Sequence, residues 1–261
     1  YNKPLPKWWI NLFYITIFFS IGYIAWYGGL GVIPGYAKWT STGEHDQQKA
    51  LEDKKLEATF APFAGKPIDQ LAKDPKAQAL GRSIFNNTCA TCHGSSGQGA
   101  TGYPNLTDDI WHWGGTPDLV LQTVLDGREG VMPEWGTALT NMGGPNAVDY
   151  VIAYVNVLND PQAGMKNNFM AAQGKPLYDG LCVACHGADG TGNQELGAPD
   201  LTDDYWLYGN SKESMRTTIT QGRHGVMPAH RELLGETRAR LVASYVWSLS
   251  HKQAQVAGAA Q

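Results

Sequence analysis

The 261 residues contain four cysteines, and they stand as two pairs, each closed by a histidine: Cys89-Ala-Thr-Cys92-His93 and Cys182-Val-Ala-Cys185-His186. Two thiols three residues apart on a helical turn share one face of that turn. Cys-x-x-Cys-His is the spacing at which both sulfurs add to the vinyl groups of one haem while the imidazole reaches the iron. A single Cys-x-x-Cys also serves as a redox disulfide or as half a zinc site. Two copies, each followed by histidine, point instead to two covalently attached haem c groups.

The motif belongs to a longer duplication, visible when the chain is aligned with itself at an offset of about 93 residues. Gly81 to Phe85 matches Gly174 to Tyr178, and Asn105-Leu-Thr-Asp-Asp109 matches Asp200-Leu-Thr-Asp-Asp204, with Trp111 opposite Trp206. Gly127-Arg128 and Gly130-Val-Met-Pro133 match Gly222-Arg223 and Gly225-Val-Met-Pro228, and Ala153-Tyr-Val155 matches Ser244-Tyr-Val246. Each half opens and closes on a helical apolar stripe, Ala77, Leu80, Gly81 and Ile84 at the start of the first and Val148, Val151, Ile152 and Val155 at its end. Thr116 and Ser211 are the expected N-caps of a short internal helix in each half. No stretch alternates for long enough to predict a strand. Each half therefore reads as a small α-helical domain of about 80 residues, a size at which a fixed cofactor helps a marginal core.

The repeat also selects iron ligands. Of six methionines only Met132 and Met227 occupy matching places, and the proline after each disfavours helix and holds the methionine in an extended loop. With His93 and His186 they complete two His/Met axial pairs, a ligand set that raises the potential and leaves no open position for a substrate. His112 and His230 are the alternative ligands of bis-histidine sites, but the repeat places Leu207 opposite the first and Trp135 opposite the second. Arg128 and Arg223, at one offset before the methionines, suit bidentate pairing with a haem propionate or an ordinary place on the surface. Trp111 and Trp206 offer N–H donors toward the propionates or plain core packing. No constellation of nucleophile, base and acid is present, so the chain has no predicted catalytic residues.

From Trp8 to Ala37 there is no charged residue, which exceeds the roughly 20 residues needed to cross a bilayer core. A transmembrane helix is predicted over about 8–30, with Trp8, Trp9, Trp26 and Tyr27 at its ends in the headgroup layer. A mean hydropathy of −0.31 excludes a bundle of many spans. Residues 38–76 are charged and carry Pro62 and Pro67, as expected of a solvated tether with a short helix. The expected organisation is an anchor at 1–37, a linker at 38–76, a first haem domain at 77–160, a linker at 161–169, a second haem domain at 170–252 and a tail at 253–261. The fold class is all-α, an N-terminal transmembrane helix followed by two tandem cytochrome c domains of class I. The absence of an initiating methionine predicts that something precedes Tyr1.

Net charge is −4, with no basic stripe, so nucleic acid is not an expected partner. Residues 77–160 hold eight acidic and two basic groups, whereas 170–252 hold nine and eight. That contrast predicts that a basic electron donor docks on the first repeat, near Asp126, Glu129 and Glu134.

With these motifs in place the chain resembles the dihaem c-type subunit, subunit III, of cbb3-type cytochrome c oxidase, from about residue 1 to 252. The more specific part is the entry to the membrane, Pro4-Leu-Pro-Lys-Trp-Trp9, followed by Tyr27-Gly-Gly-Leu-Gly31. Lys3, Lys7 and Gly28 depart from the usual pattern and leave the haem motifs untouched. The resemblance implies a bacterial inner-membrane complex with the haem domains on the periplasmic side. It also implies a donor cytochrome c and, as partners, a monohaem cytochrome c subunit and a catalytic subunit that reduces oxygen to water. In some relatives a further transmembrane helix precedes this one. Two other classes stay open at this point: an autonomous membrane-anchored dihaem cytochrome, and a dihaem peroxidase in which one iron loses its methionine.

Overall fold

The computed structural model describes residues 4–29, 33–160, 162 and 168–258. Of the inter-repeat linker expected at 161–169, residues 161 and 163–167 lie outside these. The chain divides into two compact units, Tyr1–Pro62 and Phe63–Gln261.

In the first unit, helix α1 (Lys7–Tyr27) is apolar along its whole length and buries no residue. It is long and apolar enough to cross a membrane, and it starts and stops close to the expected span. Gly28, at φ 88°, ends it by adopting a backbone conformation that other residues resist. The short strands β1 (Gly28–Gly29) and β2 (Ile33–Pro34) pair there. Helix α2 (Ser41–Phe60) follows, capped by the Thr40 hydroxyl, which accepts from the Gly43 amide at 3.0 Å. It has 20 residues and buries none, where the sequence predicted a tether with one short helix. Its run of Ala, Gln, Glu, Lys and Leu has high intrinsic helix propensity, so the segment is helical without an apolar face.

The second unit is helical apart from one ribbon. Helix α3 (Ile68–Leu71) lies inside the expected linker, yet Ile68 and Leu71 are buried, so folded structure begins before residue 77. Helix α4 (Pro75–Thr88) is capped by Asp74, with proline in its first turn, an arrangement that satisfies free amides where proline costs nothing. The short α5 (Ala90–His93) carries the first cysteine motif, and α6 (Pro117–Asp126) is capped by Thr116 as expected. Strand β3 (Arg128–Met132) leads to α7 (Gly136–Gly143) and α8 (Ala147–Asn159). The second repeat gives α9 (Asn168–Leu181), α10 (Val183–His186), α11 (Lys212–Gln221, capped by Ser211), β4 (Arg223–Met227) and α12 (Arg231–Gly258), interrupted at Gly235.

The two cores do not follow the two repeats. One core joins Phe85, Val120, Val124 and Leu125 of the first repeat to Leu234, Val242, Tyr245 and Val246 of the second. The other joins Leu139, Val148, Val151 and Val155 of the first to Leu177, Tyr178, Met215 and Ile219 of the second. Each repeat thus gives its closing helix to the other's opening helix: α12 packs on α4 and α6, and α8 packs on α9. Close helix crossings fix the exchange. A side chain at Gly81 would strike the Leu241 carbonyl, and one at Gly174 would strike the Tyr150 carbonyl. Gln78 ties the first crossing, its amide donating to Ser244 Oγ at 3.3 Å and its carbonyl accepting from Ser248 Oγ at 2.8 Å. The segments 77–160 and 170–252 are repeats of sequence, and each lobe in space is assembled from both.

The crossover runs through the ribbon. Strands β3 and β4 pair antiparallel, Arg128 opposite Met227, Gly130 opposite Gly225 and Met132 opposite Arg223. Equivalent residues exchange contacts about the Gly130–Gly225 pair, the self-complementary pattern of a two-fold interface. No strand was expected here, because alternation over five residues with glycine in the middle is too short to read. Gly127 and Gly222, both at φ 72°, bring each strand against the carbonyl of the opposite methionine.

Candidate haem-binding sites

Each cysteine motif occupies the same local structure. The first cysteine caps a four-residue helix, and a glycine at positive φ, Gly94 or Gly187, ends it directly after the histidine. No disulfide joins the four cysteines; Cys89 and Cys182 are half-buried, Cys92 and Cys185 exposed. Burial, and secondarily the neighbouring cysteine, pushes Cys89 and Cys182 each up to about 11. Cys89 packs against the first core and Cys182 against the second, while Cys92 and Cys185 are exposed.

The histidines are oriented alike. His93 Nδ1 lies 3.0 Å from the Pro104 carbonyl, and His186 Nδ1 lies 3.1 Å from the Pro199 carbonyl. A carbonyl only accepts, so Nδ1 carries the proton and Nε2 keeps its lone pair. His186 is buried, and burial lowers its proton affinity, which keeps a ligating nitrogen free. Pro104 and Pro199 were missed as site residues, although they match in the repeat, each directly before the Asn105 and Asp200 segments.

Met132 and Met227 lie half-buried at the ends of β3 and β4. Met132 packs against the same core as Cys182, Val183 and Trp206, the side of the second cysteine motif. The amide after each loop repeats the exchange: Trp135 donates to the Ile219 carbonyl at 2.9 Å, and His230 to the Val124 carbonyl at 3.1 Å. Each methionine loop is thus seated on the helices of the other repeat.

The guanidiniums are held in matching poses. Arg128 Nε donates to Thr123 Oγ1 and Arg223 Nε to Thr218 Oγ1, both at 2.9 Å. Arg128 lies over the Trp113 ring at 5.3 Å and Arg223 over Tyr208 at 4.3 Å. Trp111 packs beside the first core and Trp206 beside the second. Among the described residues no cluster of three or more His, Cys, Asp or Glu is arranged to hold a metal ion on its own. The donor set of two thiols, one Nε2 and one thioether per site fits iron held within a covalently attached ring.

Comparison with known proteins gives the same picture. The family described as cytochrome c oxidase, cbb3-type, subunit III, matches residues 76–155 and again 169–246. The N-terminal domain of cytochrome oxidase-cbb3, FixP, matches residues 1–34. The cbb3-type cytochrome c oxidase subunit CcoP of Rubrivivax gelatinosus is 41% identical over 95% of this chain and 80% of its own length. The subunit FixP of Bradyrhizobium diazoefficiens is 38% identical over 95% of this chain and 90% of its own, and that of Azorhizobium caulinodans 36% over 97% and 89%.

Proposed function

Because the chain belongs to the family of cbb3-type cytochrome c oxidase subunit III, we propose that it carries two haem c groups and moves electrons from a donor cytochrome c toward the catalytic subunit. The reading rests on one observation above all: two Cys-x-x-Cys-His turns whose histidines are each fixed through Nδ1 on a proline carbonyl, with Nε2 left for iron. Cys89 and Cys92 hold one haem, Cys182 and Cys185 the other. His93 and Met227 are the axial ligands of the first, and His186 and Met132 those of the second. This crossed pairing is supported by Met132 and Cys182 packing against the same core.

Bound iron with six ligands supplies reversible one-electron exchange and no vacant position. The chain's own residues set its conditions. The proline carbonyls keep each imidazole in one tautomer and orientation. Arg128 and Arg223, held through Nε and lying over Trp113 and Tyr208, would be the cations that pair with the haem propionates, and Trp111 and Trp206 would offer them indole N–H donors. Helix α1 anchors the domains to the bacterial inner membrane with residues 38–261 on the periplasmic side, beside the monohaem and catalytic subunits of the oxidase.

Haem quantification before and after acid-acetone extraction tests the reading. Two haems per chain that resist extraction are expected, and extractable haem, or one per chain, overturns it. Alkaline phosphatase fused after residue 261 is expected to be active.

A further inference from the structure

Two of the positions that break the duplication lie where the repeats face one another. His112 stands where the second repeat has Leu207, and Tyr205 where the first has Ile110. On one side of the contact Tyr205 fills the space, its hydroxyl accepting from the Asn105 amide at 3.0 Å. On the other side the shorter Ile110 leaves a cavity of about 230 Å³, lined in part by Asp109, Trp111, His112, Gln194, Asp200 and Asp203.

His112 lines this cavity; its Nε2 is enclosed and has no hydrogen-bond partner among the described residues, and its ring lies 5.5 Å from that of Tyr205. The acidic groups around it are Asp203, then Asp109 and Asp200 across the cavity, and neither lysine nor arginine is among the described lining residues. Burial lowers the proton affinity of His112 while Asp203 opposes that, and burial raises the affinity of Asp203. The cavity also lies between the two haem-binding segments. Trp111 packs beside the first core, with Cys89. Asp200 flanks Pro199, which holds His186.

We propose that His112 is a proton-binding site coupled to the oxidation state of one haem. When the donor cytochrome delivers one electron, His112 takes one proton from solvent at Nε2, and it releases that proton when the electron leaves. The added negative charge favours the imidazolium in a poorly solvated site, and the Asp203 carboxylate faces the positive ring. Leu207 cannot do this, so the chain has one such site, and the haem it acts on is the one at Cys89, against whose core Trp111 packs. The proposal rests on the two-haem reading above.

Spectroelectrochemical titration of the full-length holoprotein between pH 5.5 and 8.5 tests it, with haem content and spectrum recorded on the same sample. One potential is expected to fall as pH rises, with a slope approaching ~59 mV per pH unit, the one-electron equivalent of a tenfold change, while the other stays flat. His112→Leu and His112→Gln both abolish the slope, and Asp203→Asn moves the sloping window to lower pH. Two low-spin haems with no sloping potential, or a slope that survives in both His112 variants, overturns the proton site alone. Absence of haem overturns it together with the reading beneath it.

Discussion

Gly81 in the first repeat lies against the carbonyl of Leu241 in the second, so close that any side chain there would collide with backbone. The crossing joins an opening helix to the closing helix of the other repeat, and it makes the exchange of helices a testable energetic property. Gly81→Val forces α4 and α12 apart and is expected to cost about 1–3 kcal/mol, read by denaturant unfolding followed at the haem absorbance. Gly180→Ala meets only the flexible end of Met142, at 3.4 Å. It is expected to be neutral or to stabilise by up to about 1 kcal/mol, the helix-propensity gain.

A chain ending at Pro228 keeps all four cysteines, both histidines and both methionines but lacks α12. Since α12 completes the core around Phe85 and Val124, the truncation is expected to damage the first haem site and spare the second. Limited proteolysis with mass spectrometry should show the segment 63–126 cut first. Damage confined to residues 170–222 would mean that each repeat folds alone.

The proposed crossed ligation is tested by removing one haem at a time. In a Cys182→Ala, Cys185→Ala protein, which retains only the first haem, Met227→His is expected to lower its potential and Met132→His to leave it unchanged. A nitrogen ligand favours the oxidised iron relative to thioether sulfur. The opposite outcome restores ligation within each repeat.

Much of this molecule was legible because covalent chemistry fixes spacing. The cysteine motifs, the caps at Thr116 and Ser211 and the apolar N-terminal helix each depend on residues close in the chain. The exchange of α8 and α12 was not legible. Val148, Val151 and Val155 present the same stripe whichever opening helix they meet, and the two repeats are alike enough that either partner satisfies the pattern. Glycines 81 and 174 were visible as repeat matches, but only packing shows which helix they admit. The ribbon escaped notice for a related reason: β3 and β4 pair with each other across the duplication, so neither half contains a hairpin signal. Helix α2 was underestimated because it has no apolar stripe, and propensity without periodicity is a weak signal.

Asp149 on α8 accepts from Arg216 and lies 2.9 Å from Lys212 Nζ, both on α11, so it too joins the two repeats. These hydrogen bonds hold its carboxyl below the ordinary value. A depressed folded pKa contributes stability that is complete above the unfolded value and is lost as pH falls through the folded one. Asp149→Asn is expected to cost about 1 kcal/mol between pH 5 and 8, a figure reduced for the partial exposure of both cations. The gap from the parent protein should close below about pH 4. Parallel urea titrations across that range measure it.

Where the donor cytochrome docks depends on how charge is distributed in space rather than along the chain. Residues 133–222, whose core positions lie in the second lobe, carry ten acidic and four basic groups, whereas 63–132 with 223–251 carry nine of each. The acidic excess, which sequence order placed on the first repeat, therefore gathers on the lobe of Cys182 and Cys185. Two of the acids expected to receive a basic donor are engaged with the second repeat, Asp126 by Arg231 and Glu129 by His224 at 2.8 Å. Glu134 follows Met132 into the second lobe, and with Glu195 it is exposed there. Electrostatic steering acts on the association rate and weakens as the Debye length falls from ~10 Å at 0.1 M salt to ~3 Å at 1 M. Glu134→Lys with Glu195→Lys is expected to slow stopped-flow reduction by a basic cytochrome c several-fold at low salt and to flatten its ionic-strength dependence. Asp118→Lys with Glu232→Lys, on the balanced lobe, should change it by less than about two-fold, in keeping with the short reach of isolated surface charges. Equal responses from the two pairs would show that net charge alone governs the encounter, and a response confined to the second pair would return the entry point to the first lobe.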